Sequence, residues 1–121
     1  PAGAVLVDGS GVGDVGAVVL RDRKILAEDG MVVIIINVQN GQLLSEPEII
    51  TRGFIYVKES EELMHELRDV AYNAAQGVIG KGGKNSKDMG ELRGAVKSAV
   101  SNYLFKHTKR SPMVIPVVNK L

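Results

Sequence analysis

The spacing of apolar and polar residues changes along the chain, and each change marks an element. MVVIIINVQ (31–39) is dense in β-branched residues and predicts a buried strand. Asn40-Gly41 follows, and a type I′ turn needs positive φ at both central residues, so the chain is expected to double back here. QLL starts the return, SEPE (45–48) interrupts it, and IITRGFIYV (49–57) resumes as a strand. Pro47 has no N–H to give to a ladder, so the interruption predicts a bulge or an edge. Gly53 is a second candidate bulge.

From residue 60 the period lengthens to that of a helix. Ser60 is placed as an N-cap, with Glu61 and Glu62 in a first turn where the helix dipole favours negative charge. Leu63, Leu67, Val70, Ala71, Ala74 and Val78 form one apolar stripe, predicting an amphipathic helix over 60–79. GKGGKNSK (80–87) breaks the pattern. A second helix is predicted at about 87–107, with the stripe Met89, Leu92, Val96, Ala99, Val100, Tyr103 and Leu104. Lys106, His107, Lys109 and Arg110 suit its C-terminal end. Ser111-Pro112 closes it, and MVIPVV (113–118) predicts a last strand, which Pro116 places at a sheet edge.

The order is therefore β-β-α-α-β. Two helices with one apolar stripe each can cover one face of a three-stranded sheet, giving a two-layer α+β domain over 31–121. The first two strands form an antiparallel hairpin. The partner of the third is left open by the pattern.

Residues 1–30 are rich in Gly, Asp and Arg and read as an extended linker, with a short helix expected within VLRDRKILAED (19–29). Gly11-x-Gly13-x-x-Gly16 in this stretch matches the letter of a dinucleotide-binding fingerprint. The context does not. The preceding apolar run is short, β-branched residues follow Gly16, and Ile36, Asn37 and Val38 stand where an acid should meet the ribose. A glycine-rich connector is the better reading.

The chain has 121 residues, 45% of them hydrophobic, 24% charged and 4% aromatic, as expected of one small aliphatic-cored domain. It contains no Cys, which excludes a disulfide framework and a thiolate metal site and fits a cytoplasmic setting. No apolar run is long enough to span a bilayer, so no membrane partner is expected. The first residue is Pro1 within apolar sequence, which reads as a fragment of a longer protein. Charge adds a polarity that the apolar pattern hides. Residues 1–80 carry six Lys/Arg against twelve Asp/Glu, whereas residues 81–121 carry nine against two. Such an imbalance suits self-association of opposite faces, contact with a polyanion, or two solvated helix faces.

Catalytic chemistry is hard to find. His65 and His107 lie on different helices, with no metal-binding spacing between them. The Glu59, Glu61 and Glu62 cluster is a helix start, and an exposed first turn does not set two carboxylates in opposed environments. No catalytic residue and no metal ligand is assigned. Gly80-Lys81-Gly82-Gly83, between the two helices, resembles the loop of KH domains, which grips the backbone of single-stranded nucleic acid. Lys81, Lys84, Lys87 and Arg93 are the candidate RNA contacts. The strand order and the length of the first helix depart from KH patterns, so a KH-like RNA-binding module is the second reading.

The first reading rests on a block of motifs. VDGSGVGDVG (7–16), VLRDR (19–23), LAEDG (26–30), PEIITRGFIYV (47–57) and the Glu-rich helix start ESEEL (59–63) closely resemble the C-terminal part of ribonuclease J, of the metallo-β-lactamase/β-CASP family. The resemblance implies a linker followed by a small C-terminal domain associated with dimer and tetramer assembly. It also implies a parent enzyme that degrades and processes RNA by 5′-to-3′ exonuclease and endonuclease action. Zinc is implied for that parent, bound by motifs absent from these residues, and no cofactor is implied for the domain itself. The implied partners are a second copy, RNA through the parent, and other RNA-decay proteins.

Overall fold

The computed structural model describes residues 23, 29–53, 60–80 and 88–121. The linker assigned to 1–30, its short helix and its glycine motif lie outside the described residues, apart from Arg23, Asp29 and Gly30. The elements run β1 (Met31–Gln39), β2 (Gln42–Leu43), β3 (Glu48–Arg52), α1 (Ser60–Ile79), α2 (Asp88–Thr108) and β4 (Met113–Lys120). The α+β class and the β-β-α-α-β plan hold, with the second strand split in two. Residues 54–57 of the predicted strand lie outside the described residues.

β1 is the centre of the sheet. The hairpin turns at Asn40 and Gly41, whose φ values of 54° and 75° are those a type I′ turn demands. The return then pairs antiparallel with β1, Val38 opposite Leu43 in β2 and Ile35 through Met31 opposite Glu48 through Arg52 in β3. Three steps along β1 (Val38 to Ile35) face five along the return (Leu43 to Glu48), so the return holds two extra residues. Pro47 lies in that break and is buried, which turns the expected interruption into a packed corner. The other edge of β1 takes β4 in parallel, from Met31 beside Met113 to Val38 beside Lys120. The sheet thus has four strand segments in the three expected positions, the second strand being split into β2 and β3. It is mixed rather than antiparallel, because two helices bridge β1's level to β4 and bring the chain back in β1's own direction. β1 is the described partner of β4, so Pro116 sits on an edge strand, where its missing N–H costs no ladder bond on the outer side.

Both helices lie on one face of this sheet. Their buried positions repeat every four residues: Leu63, Leu67, Ala71 and Ala75 on α1, and Leu92, Val96, Val100 and Leu104 on α2. They meet Val32, Ile34, Ile36 and Val38 from β1 and Val114 from β4 in one core. The predicted stripes need small corrections. Val70, Ala74 and Ala99 are only partly buried, while Ala75 is fully so, because α1 and α2 pack along the i, i+4 line rather than the i, i+3 line. α2 ends with Lys109 in the left-handed region at φ 61°, its N–H donating to the Phe105 carbonyl oxygen at 2.9 Å. No helix among the described residues is long and apolar enough to cross a membrane.

Candidate functional site

Three surfaces merit a chemical reading, and they fall on different sides of the domain. The first is the basic loop. Lys81, Lys84 and Lys87 lie outside the described residues. Arg93 is described and stands exposed on α2, with Lys97 exposed one turn further on. Towards the end of the same helix Lys106 is exposed, and Lys109 just beyond it holds its ammonium 5.5 Å from the Phe105 ring centroid. Arg93 and Lys97, one turn apart, share a flank of α2, whereas Lys106, nine residues beyond Lys97, falls on the opposite flank.

The second is a groove of about 450 Å³ where the hairpin meets α1, lined by Leu43, Leu44, Ser45, Glu46, His65, Asp69 and Tyr72. A Ser, a His and an Asp share it, which invites comparison with a nucleophilic triad. The geometry does not support one. His65 Nε2 lies 3.6 Å from Asp69 Oδ2, one helical turn away, with both side chains more than half exposed. That is an i, i+4 surface pair. A triad instead needs the imidazole held between a carboxylate and a hydroxyl, in a setting that tunes its pKa. His65 is thus a solvent-exposed surface histidine. His107 stacks near Tyr103, with ring centroids 4.2 Å apart at the C-terminal end of α2. Among the described residues no cluster of three or more His, Asp or Glu side chains is placed to hold a metal ion.

The third surface is the outer face of the sheet, opposite the helices, and sequence reasoning missed it. Along β1 the residues alternate between fully buried and half-buried. The half-buried set is Met31, Val33, Ile35 and Asn37. The register sets Ile50 of β3 and Met113, Ile115 and Val117 of β4 beside them on the same face. Seven apolar side chains therefore adjoin one another on a face that no described helix covers. Each end of this patch is polar. Asn119 Nδ2 donates to Asn37 Oδ1 at 2.9 Å at one end, and the Ser111 N–H donates to Asp29 Oδ2 at 3.0 Å at the other. Arg110 Nη1 reinforces the second end, 3.8 Å from Asp29 Oδ1. An apolar centre with a polar rim is the anatomy of a docking surface. The signal was present in the sequence: a strand apolar at every position from Met31 to Ile36 asks to be covered on both sides.

Comparison with known proteins then places the chain. The family model described as ribonuclease J C-terminal domain matches residues 18–121. The chain belongs to that family. "Ribonuclease J 2" of Streptococcus pyogenes is 42% identical over 120 residues, which cover 98% of this chain and 21% of that protein. "Ribonuclease J2" of Bacillus subtilis is 40% identical over 121 residues, again 98% of this chain and 21% of the relative. "Ribonuclease J 2" of Staphylococcus epidermidis is 40% identical over 123 residues. The chain thus spans about a fifth of the length of these ribonuclease J relatives. The likeness runs through the basic loop and α2 as well as through the motif block that first suggested ribonuclease J.

Proposed function

We propose that this chain is a non-catalytic assembly domain of a cytoplasmic ribonuclease J-like protein, joining copies of an enzyme that degrades and processes RNA by 5′-to-3′ exonuclease and endonuclease action. The observation that carries the proposal is the outer sheet face, with its apolar centre and polar ends on the side away from the helices. Family membership supports a ribonuclease activity for the parent, because the relatives are named ribonuclease J. Zinc, implied for the parent, finds no donor set among the described residues, so no step of hydrolysis is assigned to them. Multi-angle light scattering on the purified chain tests the proposal. Mass should rise from monomer to dimer or tetramer with concentration, and a strict monomer at high micromolar concentration would count against it.

A second reading is favoured by the exposed Arg93 and Lys97 on α2, which follow the lysine-rich stretch in sequence. Here the domain contacts single-stranded RNA through Lys81, Lys84, Lys87 and Arg93. Binding of this kind releases counterions and weakens steeply with salt. Titration of a short single-stranded RNA at low and moderate salt decides it. Binding lost on reversing the charge of Lys81 and Lys84 supports contact, and no binding at either salt removes it. Contacts with other RNA-decay proteins would then run through the parent assembly.

A further inference from the structure

The tip of the hairpin carries a chemistry of its own, separate from assembly. Of the six asparagines in the chain, Asn40 alone precedes a glycine. Its side-chain amide carbon, Cγ, is a weak electrophile, and the backbone nitrogen of residue 41 is the nucleophile next to it. Glycine leaves that nitrogen unshielded, since it has no Cβ. The Gly41 N–H also donates no backbone hydrogen bond among the described residues. The ladder pairs its neighbours instead, Gln39 opposite Gln42 and Val38 opposite Leu43. Asn40 itself is exposed, so water reaches the site.

The other described asparagines lack this combination. Asn73 and Asn102 lie inside α1 and α2, where helical bonding occupies the N–H that follows each of them. Asn37 and Asn119 lie in β1 and β4, ahead of Val38 and Lys120, and their side chains are tied to each other at 2.9 Å.

We propose that Asn40 is a site of spontaneous deamidation in the folded chain, and that its isoaspartate product releases β2 from β1. The Gly41 nitrogen loses its proton and attacks Asn40 Cγ. The new N–C bond closes a succinimide ring, the Cγ–Nδ2 bond breaks, and ammonia leaves. Water then opens the ring at one of its two carbonyls, and nothing is oxidised or reduced. Opening at Cγ yields ordinary aspartate. Opening at the former backbone carbonyl routes the main chain through Cγ and leaves isoaspartate, whose backbone is longer by a methylene.

The fold sets both the rate and the damage. Asn40 at φ 54° and Gly41 at φ 75° hold the closed turn, so ring closure waits for the tip to open. The tip can open by itself, because β2 is two residues long and the break at Pro47 follows it. The folded chain should therefore convert, but more slowly than the unfolded one. Once isoaspartate forms, a two-residue turn with a lengthened backbone no longer holds Gln39 opposite Gln42. The break beyond β2 confines the damage, since β3 keeps its own register with β1 from Ile35–Glu48 to Met31–Arg52. Leu43 and Leu44 are the residues that come loose. In the intact chain the Leu44 N–H donates to the Asn37 carbonyl oxygen at 2.9 Å, which makes that amide a reporter of the event.

Ageing the purified chain at body temperature and mildly alkaline pH, which favours loss of the amide proton, tests both parts. Peptide mapping by mass spectrometry should find a gain of about 1 Da on the peptide holding Asn40, part of it as isoaspartate. Asn40→Gly leaves a Gly-Gly pair that suits the same turn, and its peptide should show no such gain. Hydrogen exchange of the aged chain should show the Leu44 amide exchanging at least about tenfold faster. The Met113 N–H, bonded to the Gly30 carbonyl oxygen at 2.9 Å, should be unchanged. Asn40→Asp, freshly prepared, carries the new charge without the added methylene and should exchange at Leu44 like the unaged parent. Should the folded chain stay unmodified at Asn40 while the urea-unfolded chain converts, the turn protects the site and the proposal falls. Should isoaspartate form while Leu44 exchanges as before, the release of β2 is wrong. Neither result alters the assembly reading.

Discussion

β1 is one strand with two fates. Val32, Ile34, Ile36 and Val38 are between 0 and 3% exposed under the helices. Met31, Val33, Ile35 and Asn37, their alternating neighbours, are half-buried on the other side. Apolar composition is almost the same on the two faces, so hydrophobicity alone does not decide which is interior. The helices do, and among the described residues they cover one face only. The difference teaches that one strand can be apolar on both sides while the described helices cover only one of them.

Adjacent isoleucines give the sharpest way to break the comparison. Ile34→Thr places a hydroxyl in the core and removes methyl packing, and should cost roughly 2–4 kcal/mol in urea unfolding of the dilute chain. Ile35→Thr keeps a β-branched side chain on the half-exposed face, and should cost under about 1 kcal/mol in the same measurement. Its effect should show in the dimer dissociation constant instead. Equal losses from both substitutions in dilute solution would mean that the outer face is interior to the monomer. A turn substitution comes next in size. Asn40→Ala forces an alanine to φ 54° and should cost about 1 kcal/mol, read as a lower thermal midpoint with no change in dimerisation. Lys109→Gly should do the opposite, gaining about 0.5–1 kcal/mol by relieving a left-handed non-glycine residue at the end of α2. Smallest of all, His65→Ala should change stability by less than about 0.5 kcal/mol, because its pair with Asp69 is solvent-exposed.

Elements governed by local chemistry were legible before any coordinates. Asn40-Gly41 announced its own turn, and Ser60 with Glu61 and Glu62 marked where α1 begins. The four-residue apolar spacing marked both helices and the face each would bury, although Ala75 shows that a stripe read by eye can slip by one position. Pro47 signalled a break but not its outcome, since a buried proline in a two-residue insertion depends on what packs over it. Pairing at long range was not legible. Nothing in MVIPVV says that it joins β1, or in which direction, because ladder bonds run through backbone atoms that every residue shares. The outer face stayed hidden for that reason: Ile50, Val33 and Ile115 become one row only after the register is known. The candidate RNA contacts follow from the KH-like Gly80-Lys81-Gly82-Gly83 loop and the positive charge around it, and of the four only Arg93 falls among the described residues.

The parallel ladder between β1 and β4 joins residues 82 positions apart at every rung. Between them lie the hairpin return, both helices and the lysine-rich connection, so the central strand gains its second neighbour only after that whole length has been gathered in. Closing so long a loop has to be met before any of those contacts reward it, and chains dominated by distant contacts fold slowly for their size. Until β4 arrives, β1 shows a bare edge and an apolar run to every other unfinished copy nearby. The interval before that last strand docks is therefore when this domain is most exposed to mispairing.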